Sequence, residues 1–138
     1  DSRNSSVDIY AQAIDSTGTP YWDMAGVAIC NAANDQSGCQ IVSDGTNGAI
    51  ISWLDNRNPN VNIYTQSVSS TGVVKWAQDG IVLSATSTDQ WEPIMTSDGA
   101  GGAIVTWNDN RNSNYDIYAQ SVTGVGFVPV ELSEFSIE

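Results

Sequence analysis

The chain repeats itself with a period of 54 residues, and this self-similarity constrains its fold more than any other feature. Three segments align at the same offset: Asp1-Ser2-Arg3-Asn4, Asp55-Asn56-Arg57-Asn58 and Asp109-Asn110-Arg111-Asn112. The first two periods, 1–54 and 55–108, align without a gap and share about 20 identical positions. A partial third copy spans 109–123, so the chain holds about 2.5 periods. Such a chain builds its fold from neighbouring copies of one structural unit.

Each period contains four short segments that are typical of β-strands. One set of four can be followed from residue 48 to residue 96. The segments are 48–53, 62–68, 73–83 (73–76 and 81–83, joined through the turn Asp79-Gly80) and 93–96. These segments are apolar or alternate between polar and apolar residues, and Gly or Asp-Gly closes them where tight turns are needed. No segment shows a sustained period of 3.6 residues. The sequence therefore predicts an all-β fold.

Four strands in a tandem repeat of this length are typical of the blades of a β-propeller. Propellers contain about 4 to 8 blades, so these repeats, which end near residue 126, predict an incomplete ring. Either the chain is part of a longer protein or several copies complete one ring, and a tail of different character after residue 126 favours the first. An open β-solenoid or a sandwich is the alternative, because periodicity alone does not fix ring closure.

Charge and composition exclude several classes of function. The chain carries 16 acidic against 4 basic residues, a net charge of −12, and has no histidine. Nucleic acids and anionic membranes both require clustered Lys and Arg, so neither is an expected partner. No apolar run is long enough to span a bilayer, and no Gly-rich phosphate loop or nucleophile elbow occurs. We therefore predict no membrane insertion, no nucleic-acid binding and no catalytic activity.

Cys30 and Cys39 are the two cysteines, and they flank a polar loop between two predicted antiparallel strands. Their spacing matches neither a redox C-x-x-C motif nor a zinc ribbon. A disulfide across this hairpin is the interpretation that we prefer, with free buried thiols and metal ligation as the alternatives. A disulfide would indicate an oxidising, extracytoplasmic environment.

Arginine and aromatic residues recur at fixed positions of the repeat. They are Arg3, Arg57 and Arg111, Trp53 and Trp107, and Tyr10, Tyr64 and Tyr118. In the structural interpretation, each guanidinium forks onto a carboxylate or carbonyls and stacks on a neighbouring ring, and the tryptophans pack in the core. In the functional one, a ring of arginines binds an anion. Identical placement in every repeat favours structure.

The loops near these arginines are rich in oxygen donors, which are the ligands that calcium prefers. The candidates are Asp1, Asp8, Asp55, Asn62, Asp109 and Asp116. The spacing is not that of an EF-hand, and such side chains more often cap turns by bonding the local backbone. Calcium is thus the one cofactor that we consider, and Asn62 predicts weaker binding in the middle repeat.

Trp91 is the tryptophan outside the repeat pattern, because Ser37 occupies the corresponding position of the first period. Together with Glu92 it is the best candidate for a ligand-facing patch, on which a sugar ring could stack. The alternative is a half-buried tryptophan without a ligand.

The repeat also carries a resemblance. The segments Trp53-x-Asp55-x-Arg57-x4-Asn62-Ile63-Tyr64 and Trp107-x-Asp109-x-Arg111-x4-Asp116-Ile117-Tyr118-Ala119-Gln120 resemble tandem β-propeller-like repeats of secreted bacterial proteins. The segment Pro129-Val130-Glu131-Leu132-Ser133-x-Phe135 resembles the entry to the immunoglobulin-like region that precedes a type IX secretion sorting domain. The resemblance implies that 127–138 form an extended tail or begin an immunoglobulin-like domain, and that the protein is secreted or displayed on the cell surface. It implies no activity.

These features together predict a non-catalytic scaffold or binding module of a secreted or cell-surface bacterial protein. Its expected partner is another protein or a second copy of the same chain, and a glycan is an option. The competing prediction is a calcium-dependent or carbohydrate-binding adhesion module. Binding of calcium or of an oligosaccharide would separate the two.

Overall fold

The computed structural model describes residues 1–124, so the predicted tail of residues 127–138 lies outside the described residues. Residues 1–124 form nine β-strands and no helix, which confirms the all-β prediction. Every strand pair is antiparallel. In the described part of the chain, no helix is long and apolar enough to cross a membrane.

The strands form three separate sheets. The first sheet pairs β1 (Ile9–Ala11) with β2 (Val27–Cys30). The middle sheet has the order β3 (Gln36–Ser43), β4 (Ala49–Asp55), β5 (Asn62–Val68), β6 (Ile81–Ser84). The third sheet has the order β7 (Gln90–Ser97), β8 (Ala103–Asp109), β9 (Asp116–Val122). Neighbouring strands in each sheet are also neighbours in the chain, so each sheet is an antiparallel meander.

The strand bounds recur at the 54-residue offset of the sequence. β6, β7 and β8 begin and end 54 residues after β2, β3 and β4. The middle sheet nevertheless begins at Gln36 and ends at Ser84, so its four strands come from parts of two sequence periods. The predicted segment 73–76 adds no strand beyond an isolated bridge between Val68 and Val74. Before β6 the chain turns at Asp79 and Gly80, both of which have positive φ.

Two hydrophobic cores show that the sheets are stacked. The first core joins residues of the first and middle sheets: Ile9, Ile29 and Cys30 with Ile51, Trp53, Tyr64 and Val68. The second joins the middle and third sheets: Ile63 and Leu83 with Val105, Trp107 and Val122. Successive residues of a strand point to opposite faces, so β4 and β5 contribute to both cores. The two central strands of the middle sheet, β4 and β5, are therefore covered on both sides, and all seven residues of β5 are buried, whereas most of β3 is exposed.

The turn between β3 and β4 shows how polar residues hold the strand ends. The Asp44 carboxylate accepts hydrogen bonds from the backbone amides of Thr46 and Gly48, both at 2.8 Å, and pairs with Lys75 at 2.9 Å. Burial alone would raise the pKa of Asp44, but Lys75 and the amides outweigh it and hold that pKa well below its usual range. Gly48 is required here, because a Cβ would collide with the Asp44 side chain and with the carbonyl of Val68.

The predicted disulfide is wrong, and both cysteines are free thiols. Cys30 ends β2 in the first sheet and is fully buried, whereas Cys39 lies in β3 of the middle sheet and is exposed. The prediction assumed that these two strands form a hairpin, but β2 pairs with β1 and β3 pairs with β4. The loop between the cysteines is the connection from one sheet to the next, so the two thiols point into different environments.

This difference predicts unequal thiol reactivity in the native protein. Burial raises the pKa of the Cys30 thiol to about 11, and the core keeps alkylating reagents away from it. We expect iodoacetamide at neutral pH to modify Cys39 and to leave Cys30 unmodified until the protein is unfolded. Mass spectrometry of native and denatured samples, each without a reductant, measures this. A protein in which neither thiol reacts before reduction would contradict the free thiols.

Candidate functional site

A unit of aspartate, arginine and tyrosine recurs where the chain enters strands β1, β5 and β9. In the middle sheet, Asp55 is the last residue of β4, Arg57 follows in the loop, and Tyr64 lies in β5 directly opposite Trp53. The Asp55 carboxylate accepts hydrogen bonds from the Arg57 backbone amide at 2.9 Å, from Nε at 2.8 Å and from Nη2 at 2.6 Å. The loop therefore folds back so that the guanidinium and the backbone bind the same carboxylate. We call this arrangement the Asp–Arg–Tyr unit.

The same unit occurs three times among the described residues. In each, the guanidinium lies over the tyrosine ring: Arg3 over Tyr10 at 3.9 Å, Arg57 over Tyr64 at 4.0 Å and Arg111 over Tyr118 at 3.8 Å. An asparagine one residue after each arginine, Asn4, Asn58 or Asn112, donates to the tyrosine hydroxyl. In the second and third units the tyrosine also stacks on Trp53 or Trp107. A cation held over an aromatic face is stabilised by the ring's quadrupole.

The arginine of the middle unit also hydrogen-bonds to a residue of a neighbouring sheet. Arg57 Nη2 donates to the Asp79 carbonyl oxygen at 2.7 Å and to the Cys30 sulfur at 3.1 Å, and Cys30 belongs to the first sheet. Trp53 Nε1 donates to the Asp55 carboxylate at 2.8 Å. Although burial would lower the pKa of Arg57, its bond to Asp55 outweighs burial and raises that pKa. The contact with Cys30 was not predictable from the repeat pattern, since cysteine occurs at that position in one period only.

The three arginine charges face carboxylates within their own units. Arg3, Arg57 and Arg111 pair with Asp1, Asp55 and Asp109 respectively. In the third unit burial would raise the pKa of Asp109, but the bond from Arg111 lowers it below the usual value. A buried carboxylate that already binds a guanidinium is neutralised locally. An anion would have to compete with these carboxylates for the arginines.

Three of the six candidate calcium ligands are the carboxylates that bind these arginines. Asp1, Asp55 and Asp109 bind arginines, and Asp8 is buried and accepts hydrogen bonds from Asn4 and Ser6. Asn62 accepts from Asn58, whereas Asp116 is exposed at the start of β9. Within residues 1–124, no three or more His, Cys, Asp or Glu side chains are grouped so that they could hold a metal ion. Strand pairing places Asp55 opposite Asn62 and Asp109 opposite Asp116, so within the described residues these candidates meet in pairs.

Trp91 and Glu92 lie at an irregularity of β7. The register of β7 against β8 shifts between Trp91 and Ile94, and β3 has the corresponding shift between Ser37 and Gln40. The bulge residue has a positive φ in both strands, 61° at Gly38 and 53° at Glu92. Glycine adopts this conformation without strain, whereas a glutamate does not. Glu92 therefore occupies a backbone position at which the equivalent strand of the first period carries a glycine, Gly38.

The bulge positions these two side chains beside a groove between β3 and β7. The groove has a volume of about 570 Å³, and its lining includes Trp91, Glu92, Leu54 and Gly38. Trp91 is 40% exposed. Asn108 Nδ2 donates to Glu92 Oε2 at 2.8 Å, which orients the carboxylate. The groove thus combines an accessible ring with an oriented hydrogen-bond acceptor; sequence reasoning identified Trp91 and Glu92 but missed Asn108 and Leu54.

The difference between two of the repeated units predicts unequal effects of the same substitution. Arg57→Lys removes the fork onto Asp55 and the bonds to Asp79 and Cys30, whereas Arg111→Lys, the matched control, removes contacts within one loop and hairpin. We expect Arg57→Lys to lower the free energy of unfolding by about 2–3 kcal/mol and Arg111→Lys by about 1 kcal/mol. Urea denaturation followed by tryptophan fluorescence measures both. Equal losses would show that the contacts with Asp79 and Cys30 add no stability.

Comparison with known proteins adds no assignment to this geometry. No protein-family model, no curated protein and no solved structure matches the chain. The arguments about function therefore come from the residues themselves: three Asp–Arg–Tyr units that bind their own strand ends, and one groove beside Trp91 and Glu92.

Proposed function

We propose that the chain is a non-catalytic scaffold module of a secreted or cell-surface bacterial protein, with stacked sheets of propeller-blade type as its building units. The observation that carries this proposal is the use made of the repeated polar residues. In all three repeats among the described residues the arginine binds the aspartate two residues before it and covers a tyrosine of the strand that follows. In the second and third repeats this aspartate is the last residue of a strand. Residues that occur in every repeat and bind one another serve the architecture, and the module then acts through the surfaces that the stack displays.

The arrangement of strands supports blades as the building units. The middle sheet is a four-stranded meander in chain order, and its first strand, β3, contacts the first strand of the third sheet, β7. Consecutive blades of a propeller stack in this way around a centre. The secreted or cell-surface location rests on the two sequence resemblances, that of the repeat and that of the segment from Pro129 to Phe135, because the disulfide that would have supported it is absent.

Insertion of one further period tests this modular architecture. A second copy of residues 36–89, placed between Asp89 and Gln90, preserves the local sequence at both junctions, since Asp35-Gln36 and Asp89-Gln90 are equivalent. We expect the longer chain to fold as one unit, with a higher free energy of unfolding and a denaturant m-value larger by roughly 40%, in proportion to the added chain. Circular dichroism and urea denaturation measure these quantities.

An unchanged m-value would mean that the inserted residues remain outside the cooperative fold, and the scaffold proposal would then fail. A matched control inserts the same residues in scrambled order at the same site. This control separates stacking of a repeat from the effect of a longer loop.

A second candidate function is carbohydrate binding, and the groove beside Trp91 favours it. An exposed tryptophan ring offers a flat apolar surface on which a sugar ring can stack, and Glu92 offers an acceptor for its hydroxyl groups. The strained φ of Glu92 is retained next to this ring. Strained residues of this kind cluster at ligand sites.

Titration with soluble glucose and N-acetylglucosamine oligosaccharides tests the second candidate through tryptophan fluorescence. We expect a saturable change for the wild type and its loss in Trp91→Ser, which introduces the residue that the first period carries at this position, Ser37. Because the Ser37 bulge is already part of the fold, this variant should unfold at a similar urea concentration. A wild type that shows no saturable change with either sugar series, or a response that persists in Trp91→Ser, would reject the groove as a binding site for these sugars.

A further inference from the structure

The two ends of the stack expose surfaces whose counterparts inside the stack are buried. We call the face of a sheet that points back along the chain order its incoming face and the opposite one its outgoing face. In the third sheet, Val105 and Trp107 of β8 pack on the middle sheet, so Ile104 and Thr106 lie on the outgoing face. In β9, Tyr118 and Val122 pack inward, and Ile117 and Ala119 therefore lie on the outgoing face.

The outgoing face of the third sheet carries the residue types of a buried interface. Ile104 corresponds to Ile50 in the middle sheet, and Ile117 corresponds to Ile63. Ile50 and Ile63 are fully buried, whereas Ile104 is 42% exposed and Ile117 is 71% exposed. Ile94 on the neighbouring strand β7 is exposed as well. Clustered exposed isoleucines on a flat sheet face are typical of an interaction surface.

The incoming face of the first sheet is exposed in a corresponding way. Tyr10 and Ile14 correspond to Tyr64 and Val68, which pack in the first core. The local geometry is also equivalent, because Ile14 bridges to Pro20 as Val68 bridges to Val74. Ile14 is 62% exposed, whereas Val68 is fully buried. Within the described residues, the first sheet thus presents an unpartnered incoming face and the third sheet an unpartnered outgoing face.

Both interfaces inside the chain are formed in one way, with an outgoing face packed on the incoming face of the next sheet. Ile9 of the first sheet meets Trp53 and Tyr64 of the middle sheet in the first core. Ile63 of the middle sheet meets Trp107 in the second core, with Tyr118 packed beside them. A contact that buried both free faces in the same way would therefore pack the outgoing face of the third sheet on the incoming face of a first sheet.

We propose that the outgoing face of the third sheet binds the incoming face of the first sheet of a second copy of this chain. This inference rests on the proposed scaffold role, because it uses the same stacking that joins sheets within the chain. The contact is heterologous, so it leaves one face free at each end and allows further copies to add. The first sheet supplies two strands and no counterpart of Trp53, and each copy carries a net charge of −12. The association is consequently reversible and becomes stronger as salt screens the repulsion.

Two charge substitutions, one on each face, test the proposal in the intact chain. Ile117→Lys blocks the outgoing face, and Ile14→Lys blocks the incoming face. Both side chains are mostly exposed, so folding should be preserved, and circular dichroism and thermal melting check this. Met24→Lys is the matched control, because Met24 is an exposed apolar residue in the loop between β1 and β2, and its counterpart in the next period is the polar Gln78.

Sedimentation velocity at protein concentrations from about 10 µM to about 1 mM measures the average mass of the associating species. The average mass of the wild type and of Met24→Lys should rise above 14.7 kDa with concentration, whereas either blocking substitution alone should weaken association at least about tenfold. A mixture of Ile117→Lys and Ile14→Lys should form a one-to-one dimer and no larger species, since one variant keeps a free outgoing face and the other a free incoming face.

Three results would overturn the proposal: a wild type that stays monomeric throughout, an Ile14→Lys variant that associates like the wild type, or a mixture that forms no dimer. The second would indicate a symmetric contact between two outgoing faces. None of these three results bears on the scaffold proposal, because they concern contacts between chains. The insertion of residues 36–89 tests the scaffold proposal separately, since it reports whether a further sheet stacks within one chain.

Discussion

The Asp55 carboxylate is the polar group on which the rest of the stack depends. It is fully buried at the end of β4, where an unpaired charge would cost several kcal/mol. Arg57 and Trp53 Nε1 satisfy it, and Arg57 then reaches a carbonyl in the loop before β6 and a sulfur of the first sheet. One buried acid thus joins a strand end, a loop and a neighbouring sheet. Its removal would leave the guanidinium partly buried without its carboxylate.

The middle sheet explains why such polar anchors are needed. Both faces of β5 are covered, so Thr65, Gln66 and Ser67 are buried together with its apolar residues. Two of these side chains bond to nearby backbone: Thr65 donates to the Ile51 carbonyl, and Gln66 donates to the Ala77 carbonyl and accepts from the Ser67 amide. Buried polar groups with satisfied hydrogen bonds fix the register of a sheet, because a slip by one residue would leave them unpaired. In the first and third sheets one face has no neighbouring sheet among the described residues, and isoleucines such as Ile14, Ile104 and Ile117 are exposed there.

The candidate site was predictable in part. The alignment of repeats identified the arginines and tyrosines that contact each other, because side chains that recur at one position meet the same neighbours in every copy. It also singled out Trp91 as a departure from the pattern and, with Glu92, as a candidate ligand-facing patch. It could not identify Asn108, which orients Glu92, or Cys30 as a partner of Arg57, since both contacts depend on which strands become neighbours.

By itself, the sequence determined the all-β fold and the spacing of the strands, because alternating side chains and glycine turns are local properties of the chain. Only the tertiary structure decided how strands group into sheets. Strands β2 and β3 could have formed a hairpin, and the predicted disulfide between Cys30 and Cys39 assumed so. Instead β2 pairs back to β1 while β3 pairs forward to β4, since this grouping buries Ile29 and Cys30 against Trp53 and the rest of the first core. Burial shared between sheets is a property of the whole stack, and no single repeat contains it.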